Sequence, residues 1–273
     1  MTLTADIHDF HRRDLSFEEK TRPVLITGNY GPAIIVMHEL YGFTPTLARF
    51  CRWVRDAGFR VYAPILLGTA DATNTETVST ARLLRLCISR EFTVLRANRS
   101  SPITDWLRAL AHQAHDECGG SGVGAIGLCL TGGFALSMAI DPLITAPVLG
   151  EPSLPSRVPA ALDISPDELA HVKARVARGD LKVRGYRFAG DTLSTHARFE
   201  TLQRELGDGF VGCELPDSAG NPLGLKGQGR PPHSVFTGDL IDAAGEPTRK
   251  AVETVGFAGP QAPLARAFVH WTG

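Results

Sequence analysis

The sequence has no run of about 18 uninterrupted apolar residues, which excludes a membrane-spanning helix of ordinary length. Its opening stretch, MTLTADIHDFHRRDLSFEEK, is polar and mixed in charge and lacks the apolar core of a secretory signal. The expectation is therefore an intracellular, cytoplasmic protein. Cysteine is scarce: Cys51, Cys87, Cys118, Cys129 and Cys213 are five in all, widely spread and without a CxxC pair. That odd, scattered set argues against a disulfide framework or a zinc ribbon. No charge of one sign dominates, since 28 Lys and Arg face 29 Asp and Glu for a formal net charge of −1. Electrostatics thus give no reason to expect nucleic acid or an anionic membrane as partner. Internal repeats and low-complexity tracts are missing as well. What is present is apolar material, 43% of 273 residues against 21% charged. A chain of this length buries about 75% of its unfolded surface, so neither disulfide nor metal is needed to fold it. No shift of composition divides it, and one domain over residues 1–273 is expected.

From Pro32 onward short apolar runs alternate with longer amphipathic ones. Ala33–Met37 (AIIVM) has strand length and ends at the polar pair His38-Glu39. Residues 44–57 place Leu47, Phe50, Cys51, Val54 and Ala57 at three- and four-residue spacing between arginines, the pattern of a helix stopped by Gly58. Further strands are expected at 59–63, Val123–Leu128, 144–149, 184–189 and 210–214. Helices are expected at 78–97, 102–118, 130–140, 166–178, 194–206 and 246–257, with a polar loop over 69–80. Strands separated by helices make right-handed βαβ units and a mostly parallel sheet covered on both faces. Two segments stay without a role at this level, 147–164 and the Gly- and Pro-rich 216–232.

The chemistry concentrates at Gly127-Leu128-Cys129-Leu130-Thr131-Gly132-Gly133, where an apolar strand runs directly into an apolar helix. A nucleophile on a tight strand-to-helix turn projects above the sheet, and small neighbours let that turn close. The helix start beneath it favours a thiolate and offers backbone N–H groups to an oxyanion. Taken alone, Cys129 would read as one more buried core cysteine; the turn context gives it the nucleophilic reading. The pattern Gly-x-nucleophile-x-Gly is broken at its last position by Thr131. A thiol nucleophile needs a base and an orienting acid, which follow it in chain order in hydrolases built this way. Asp191 ends an apolar run at the carboxyl edge of a predicted strand, and His233 lies in the loop beyond the next. Their plainer readings are a helix N-cap for Asp191 and an exposed loop histidine for His233. His171, His196 and His270 are less well placed.

Met37-His38-Glu39-Leu40-Tyr41-Gly42, Gly-Leu-Cys-Leu-Thr-Gly-Gly at 127–133, Gly190-Asp191 and Pro232-His233-Ser234-Val235-Phe236 occur in that order. Together, over residues 23–258, they resemble the dienelactone hydrolase family of α/β-hydrolase-fold enzymes with a cysteine nucleophile. The resemblance implies an α/β fold with a mostly parallel central sheet and a triad of Cys129, Asp191 and His233. It also implies that Glu39 contacts the thiol and helps control its ionisation, and that the N–H groups of Leu40 and Leu130 form the oxyanion hole. Tyr41 and Arg90 become candidate substrate-binding residues, and no metal or organic cofactor is implied.

Departures from the family bear on the substrate. Its founding enzymes hold a substrate carboxylate with arginines, one of them four residues beyond the histidine, where this chain has Thr237. Arg82, Arg85, Arg90 and Arg230 are possible replacements, but 23 of the 28 basic residues are arginine and most such residues are solvated surface. The stretch 87–92 lengthens the region before the cysteine turn and suggests an altered pocket cover. Gly122-Val123-Gly124-Ala125-Ile126-Gly127 is a literal GxGxxG, yet it lies within a strand and its next acid, Asp141, is too close for a dinucleotide site. The pairs His8/His11 and His112/His115 have no converging third ligand. The expected protein is a cysteine-dependent hydrolase of a small ester or lactone, acting through an acyl-enzyme. The alternatives are a broader carboxylesterase or thioesterase, or a catalytically silent hydrolase scaffold that binds a small ligand or partner. The oligomeric state is not legible.

Overall fold

A computed structural model describes residues 6–68, 100–224 and 226–255. Eight strands form one sheet: β1 (His11–Phe17), β2 (Lys20–Thr27), β3 (Ala33–Met37), β4 (Arg60–Pro64), β5 (Val123–Leu128), β6 (Ile144–Gly150), β7 (Val183–Phe188) and β8 (Phe210–Leu215). Their spatial order is β1-β2-β4-β3-β5-β6-β7-β8. All pairings from β4 to β8 are parallel, and the β1–β2 and β2–β4 pairings are antiparallel. The helices are α1 (Pro45–Asp56), α2 (Ile103–Cys118), α3 (Gly132–Met138), α4 (Pro166–Ala177), α5 (His196–Leu206) and α6 (Pro247–Val255). This is the α/β-hydrolase architecture. None of the described helices is long and apolar enough to cross a membrane.

Central strands are apolar on both faces because both faces are covered. Along β3, Ile34 and Val36 join one buried cluster and Ile35 and Met37 the other, following the two-residue period of a strand. The Ile35 side packs against Trp106, Leu107 and Leu110 of α2, Phe134 of α3, Val172 of α4 and Leu202 of α5. The Val36 side packs against Leu47, Phe50 and Val54 of α1 and Ala251 and Val252 of α6. Two helices begin as the sequence indicates. Thr44 caps α1 by accepting from the Leu47 N–H ahead of Pro45, and Ser165 caps α4 by accepting from Glu168.

The sequence reading missed the hairpin β1–β2. Its first strand is mostly exposed, and its charged residues mask the alternation of Leu15 and Phe17. Its two-residue turn is Glu18-Glu19, both at positive φ, and lacks the Asn-Gly signature that would announce it. The helix expected at 130–140 is shorter, a 3₁₀ turn at Cys129–Thr131 followed by Gly132–Met138. The helix expected from residue 194 starts at His196, with Thr195 as its cap. The loop 69–80, the helix 78–97, the stretch 87–92, Arg82, Arg85 and Arg90 lie outside the described residues, as do residues 256 and 257 of the last expected helix.

Candidate active site

β5 leaves the sheet between β3 and β6, so three strand ends meet at the cysteine turn. Met37 pairs with Gly127, and Leu128 with Gly150, which sets Glu39, Cys129 and Glu151 side by side at the carboxyl edge. Leu128 is extended at φ −122° and ψ 134°, and Cys129 turns abruptly to φ +55°. A non-glycine residue there is uncommon and persists only where its surroundings hold it. Two glycines make the turn possible. A Cβ on Gly127 would sit 2.0 Å from the Thr131 carbonyl oxygen, and one on Gly132 would sit 2.6 Å from Pro152 Cα.

Thr131 explains why the expected glycine is dispensable at its position. Its buried hydroxyl accepts from the Leu128 N–H at 2.9 Å and lies 3.0–3.2 Å from the carbonyls of Leu128, Met37 and His38, one of which takes its proton. The side chain thus ties the cysteine turn to the end of β3. That end is fixed again by His38, whose Nδ1 donates to the Glu39 carbonyl at 2.5 Å while Nε2 accepts from Leu66 and Leu67 N–H. Leu40 follows directly and Leu130 lies on the 3₁₀ turn, at neighbouring strand ends.

Asp191 and His233 are brought together. His233 Nδ1 donates to Asp191 Oδ2 at 2.6 Å, and both residues are buried. The other carboxylate oxygen accepts from the Leu193 and Ser194 N–H groups at 2.9 and 3.2 Å, so the acid is oriented from behind. Arg187 fixes that loop by donating to the carbonyls of Ser194, Ala189 and Asp191 and by pairing with Glu214. Asp239 fixes the histidine, accepting from the His233 and Ser234 N–H groups at 2.8 and 3.1 Å. Burial disfavours the imidazolium, but the charges of Cys129 and Asp191 outweigh it and hold His233 well above the ordinary imidazole range. Its Nε2 is shielded from solvent, and with Nδ1 on Asp191 this is the nitrogen left to act on Cys129.

Glu39 is buried beside the Ser234 and Thr237 hydroxyls. Burial raises its carboxyl above the usual range, against the pull of Ser234, His233 and Thr237. Tyr41 stands at the rim, 36% exposed. Its phenol is raised by partial burial and by Glu39 and Cys129, and lowered by the exposed Arg230. Arg230 is therefore near the site, while Arg90 lies outside the described residues.

Other neighbours left no sequence signal. Ser153 Oγ lies 3.4 Å from Cys129 Sγ, and the Ser153 N–H donates to the Cys129 carbonyl at 3.0 Å. Glu151 is fully buried at φ +36°. Both belong to the segment 147–164, whose role now becomes visible: it walls the cysteine. Buried Arg198 of α5 holds this wall, donating to the carbonyls of Pro152, Pro155, Ala161 and Leu193 at 2.7–3.0 Å. Of the paired histidines of the sequence, exposed His8 sits on Asp6 and exposed His112 on Asp141, while His11 is exposed and His115 half-buried. Among the described residues no group of three or more His, Cys, Asp or Glu could hold a metal ion.

A family model for the dienelactone hydrolase family matches residues 23–166, just over half the chain. The chain belongs to the dienelactone hydrolase family. As a member it is a hydrolase acting on ester bonds. No curated protein matches the sequence. Solved structures share the fold at low identity. A dienelactone hydrolase from Anabaena variabilis is 16% identical with a TM-score of 0.54, over 91% of this chain and 96% of that one. A dienelactone hydrolase-like promiscuous phosphotriesterase from metagenomic libraries is 18% identical with a TM-score of 0.60, over 91% and 96%.

Proposed function

We propose that this hydrolase cleaves a small ester or lactone through an acyl-enzyme on Cys129. His233 Nε2 takes the thiol proton, and Sγ attacks the substrate carbonyl carbon. The oxyanion is received by the Leu40 and Leu130 N–H groups, where one such donor is typically worth about 3 kcal/mol. The tetrahedral adduct collapses with cleavage of the C–O bond, and His233 returns the proton to the departing alcohol, which stays tethered if the substrate is a lactone. His233 then activates water, whose attack frees the acid and restores the thiol. Asp191 orients the ring and balances its charge, and Glu39 adjusts the ionisation of the thiol. The observation that carries this reading is the buried 2.6 Å bond between His233 and Asp191, which leaves Nε2 as the basic nitrogen beside a cysteine held at positive φ.

Thr237 bears on the substrate. Among the described residues the groups acting most strongly on Glu39 are Ser234, His233, Thr237 and Asp239, with no arginine among them, and Arg230 acts on Tyr41 at the rim instead. An uncharged acyl group suits that surrounding better than a carboxylate does. Comparing a neutral lactone, a carboxylated lactone and a linear aryl ester of equal size tests the preference.

The deciding experiment is intact mass after brief incubation with an activated aryl ester, on the wild type, Cys129→Ser and Cys129→Ala. The expected result is a transient acyl adduct that maps to Cys129, with release of the phenol. Phenol release by Cys129→Ala at the wild-type rate would overturn the assignment.

A further inference from the structure

Glu151 is a buried acid for which the reaction above has no use. Four described non-glycine residues hold positive φ. Glu18 and Glu19 make the exposed hairpin turn, and the other two, Cys129 and Glu151, end adjacent strands. The turn at Glu151 is secured by its N–H donating to the Tyr186 carbonyl at 2.7 Å, and it sends the carboxyl inward, fully buried.

Two carboxyl groups therefore flank the thiol. Glu39 and Glu151 stand level with Cys129 on the strands to either side, with about 10 Å between their backbones, a gap that two facing glutamate side chains can close. Both reach the same short segment after His233. Glu39 lies by the Ser234 and Thr237 hydroxyls, and Glu151 Oε2 accepts from the Val235 N–H at 3.2 Å. The second oxygen of each, Oε1, is shielded from solvent with no hydrogen-bond partner among the described residues. Glu39 is also the charge acting most strongly on Glu151, followed by His233 and Cys129. Behind His233 stands Asp191, and Asp239 adds a further negative charge near Glu39. Two ionised carboxylates buried together with two orphaned oxygens would be costly.

We propose that Glu151 is a second acid of this site: its unpartnered oxygen carries a proton and donates it to Glu39. The carboxylic acid then supplies Glu39 with the neutralising partner that a cation would otherwise provide, and the O–H···O bond satisfies both orphaned oxygens. Glu151 is a positioning residue, acting on the thiol through Glu39 and on the His233 loop through Val235. This deepens the hydrolase reading, because it concerns what sets the charge around the nucleophile.

The test is infrared difference spectroscopy on the full chain at pH 7, reading the carbonyl stretch of a protonated carboxyl and its shift in D₂O. The wild type is expected to show such a band. Glu151→Gln should abolish it, and Glu39→Gln should keep it but move it, since an amide accepts the proton more weakly. A band untouched by Glu151→Gln overturns the proposal. So does a band lost in Glu39→Gln, which puts the proton on Glu39, or one that Glu39→Gln leaves unmoved. If Glu151→Gln does not fold, the Glu39→Gln spectrum decides alone. The spectrum reads the proton and the mass measurement reads the acyl group, so either inference can fail without the other.

Discussion

Cys129 stands between two strand ends that are built on different plans. On the β3 side the supporting side chains belong to the two conspicuous motifs themselves: His38, Glu39 and Leu40 are consecutive, and Thr131 of the cysteine turn reaches across to the Met37 carbonyl. On the β6 side the support comes from outside those two motifs. Glu151 and Ser153 are held by Val235, and by Arg198 acting on their neighbours Pro152 and Pro155. The difference separates two kinds of constraint. Hydrogen bonds within and between the two motifs fix the backbone at the end of β3. Those from the His233 loop and α5 wall the thiol and hold Glu151 beside it.

The largest expected effect tests what the two ends flank. Asp191→Asn touches neither strand end, keeps the volume and removes the charge that orients His233. We expect kcat/KM towards an activated ester to fall about 10⁴-fold with the thermal midpoint close to wild type. A loss of less than tenfold would mean that the thiol is not driven by His233, and the contrast between its two flanks would lose its catalytic meaning.

Next in size is the β6 wall. Arg198 donates to four carbonyls, three of these bonds buried, and burial lowers its pKa to about 10, the mark of a desolvated cation held for its geometry. Arg198→Met fills the space but orphans the carbonyls, and urea unfolding should show a loss of about 2–4 kcal/mol. Arg198→Lys should recover little of it, since one ammonium cannot span carbonyls that a guanidinium fork reaches from three nitrogens. A loss under 1 kcal/mol in both variants would show that the wall stands by packing alone.

This asymmetry also governs how much could be read from the chain. β3 and β5 have the bounds their apolar runs predict, and the helices α1, α2 and α4 follow from spacing and caps. The contiguous groups His38-Glu39 and 127–133 were visible because local geometry demands local residue types. Glu151 and Ser153 were not, because nothing near them in the sequence reports a partner 84 residues on, the separation between Glu151 and Val235. Arg198 was invisible for another reason: among 23 arginines, the structural one differs from a solvated one only by what folds over it. The β1–β2 hairpin escaped because its outer strand is charged and its Glu-Glu turn has no customary turn residue.

A third prediction weighs the two carboxyls through pH. Burial raises the folded-state values of both Glu39 and Glu151. The folded protein therefore keeps protons that the unfolded chain releases above about pH 4.3. That contribution to stability is fully present below pH 4.3 and is lost as pH rises towards each raised value. Glu151→Gln has no proton to lose. Its stability should match the wild type, apart from a constant offset, near pH 4 and gain on it above, by up to about 1.4 kcal/mol per pH unit. His233 is raised as well, so its share declines from about pH 6.5 upward in both proteins. Parallel stability curves for variant and wild type would show that Glu151 is ionised in both states.

The smallest effect is expected at Ser153, the point where the β6 wall touches sulfur. Its hydroxyl can donate to a thiolate across 3.4 Å, whereas its backbone N–H to the Cys129 carbonyl survives any side-chain change. Ser153→Ala therefore subtracts one hydrogen bond to the Cys129 sulfur and leaves the turn intact. A bond of about 1 kcal/mol corresponds to roughly a fivefold change, so iodoacetamide should alkylate Cys129 several-fold more slowly at neutral pH, with no change in thermal midpoint. Cys51, buried on α1 with its thiol pushed well above the ordinary range by burial, serves as the internal standard that should stay unlabelled. An unchanged rate would confine the β6 side to wall and acid, with no direct hold on the sulfur. A loss of a hundredfold would give Ser153 a share in ionising the thiol that one neutral hydrogen bond does not explain.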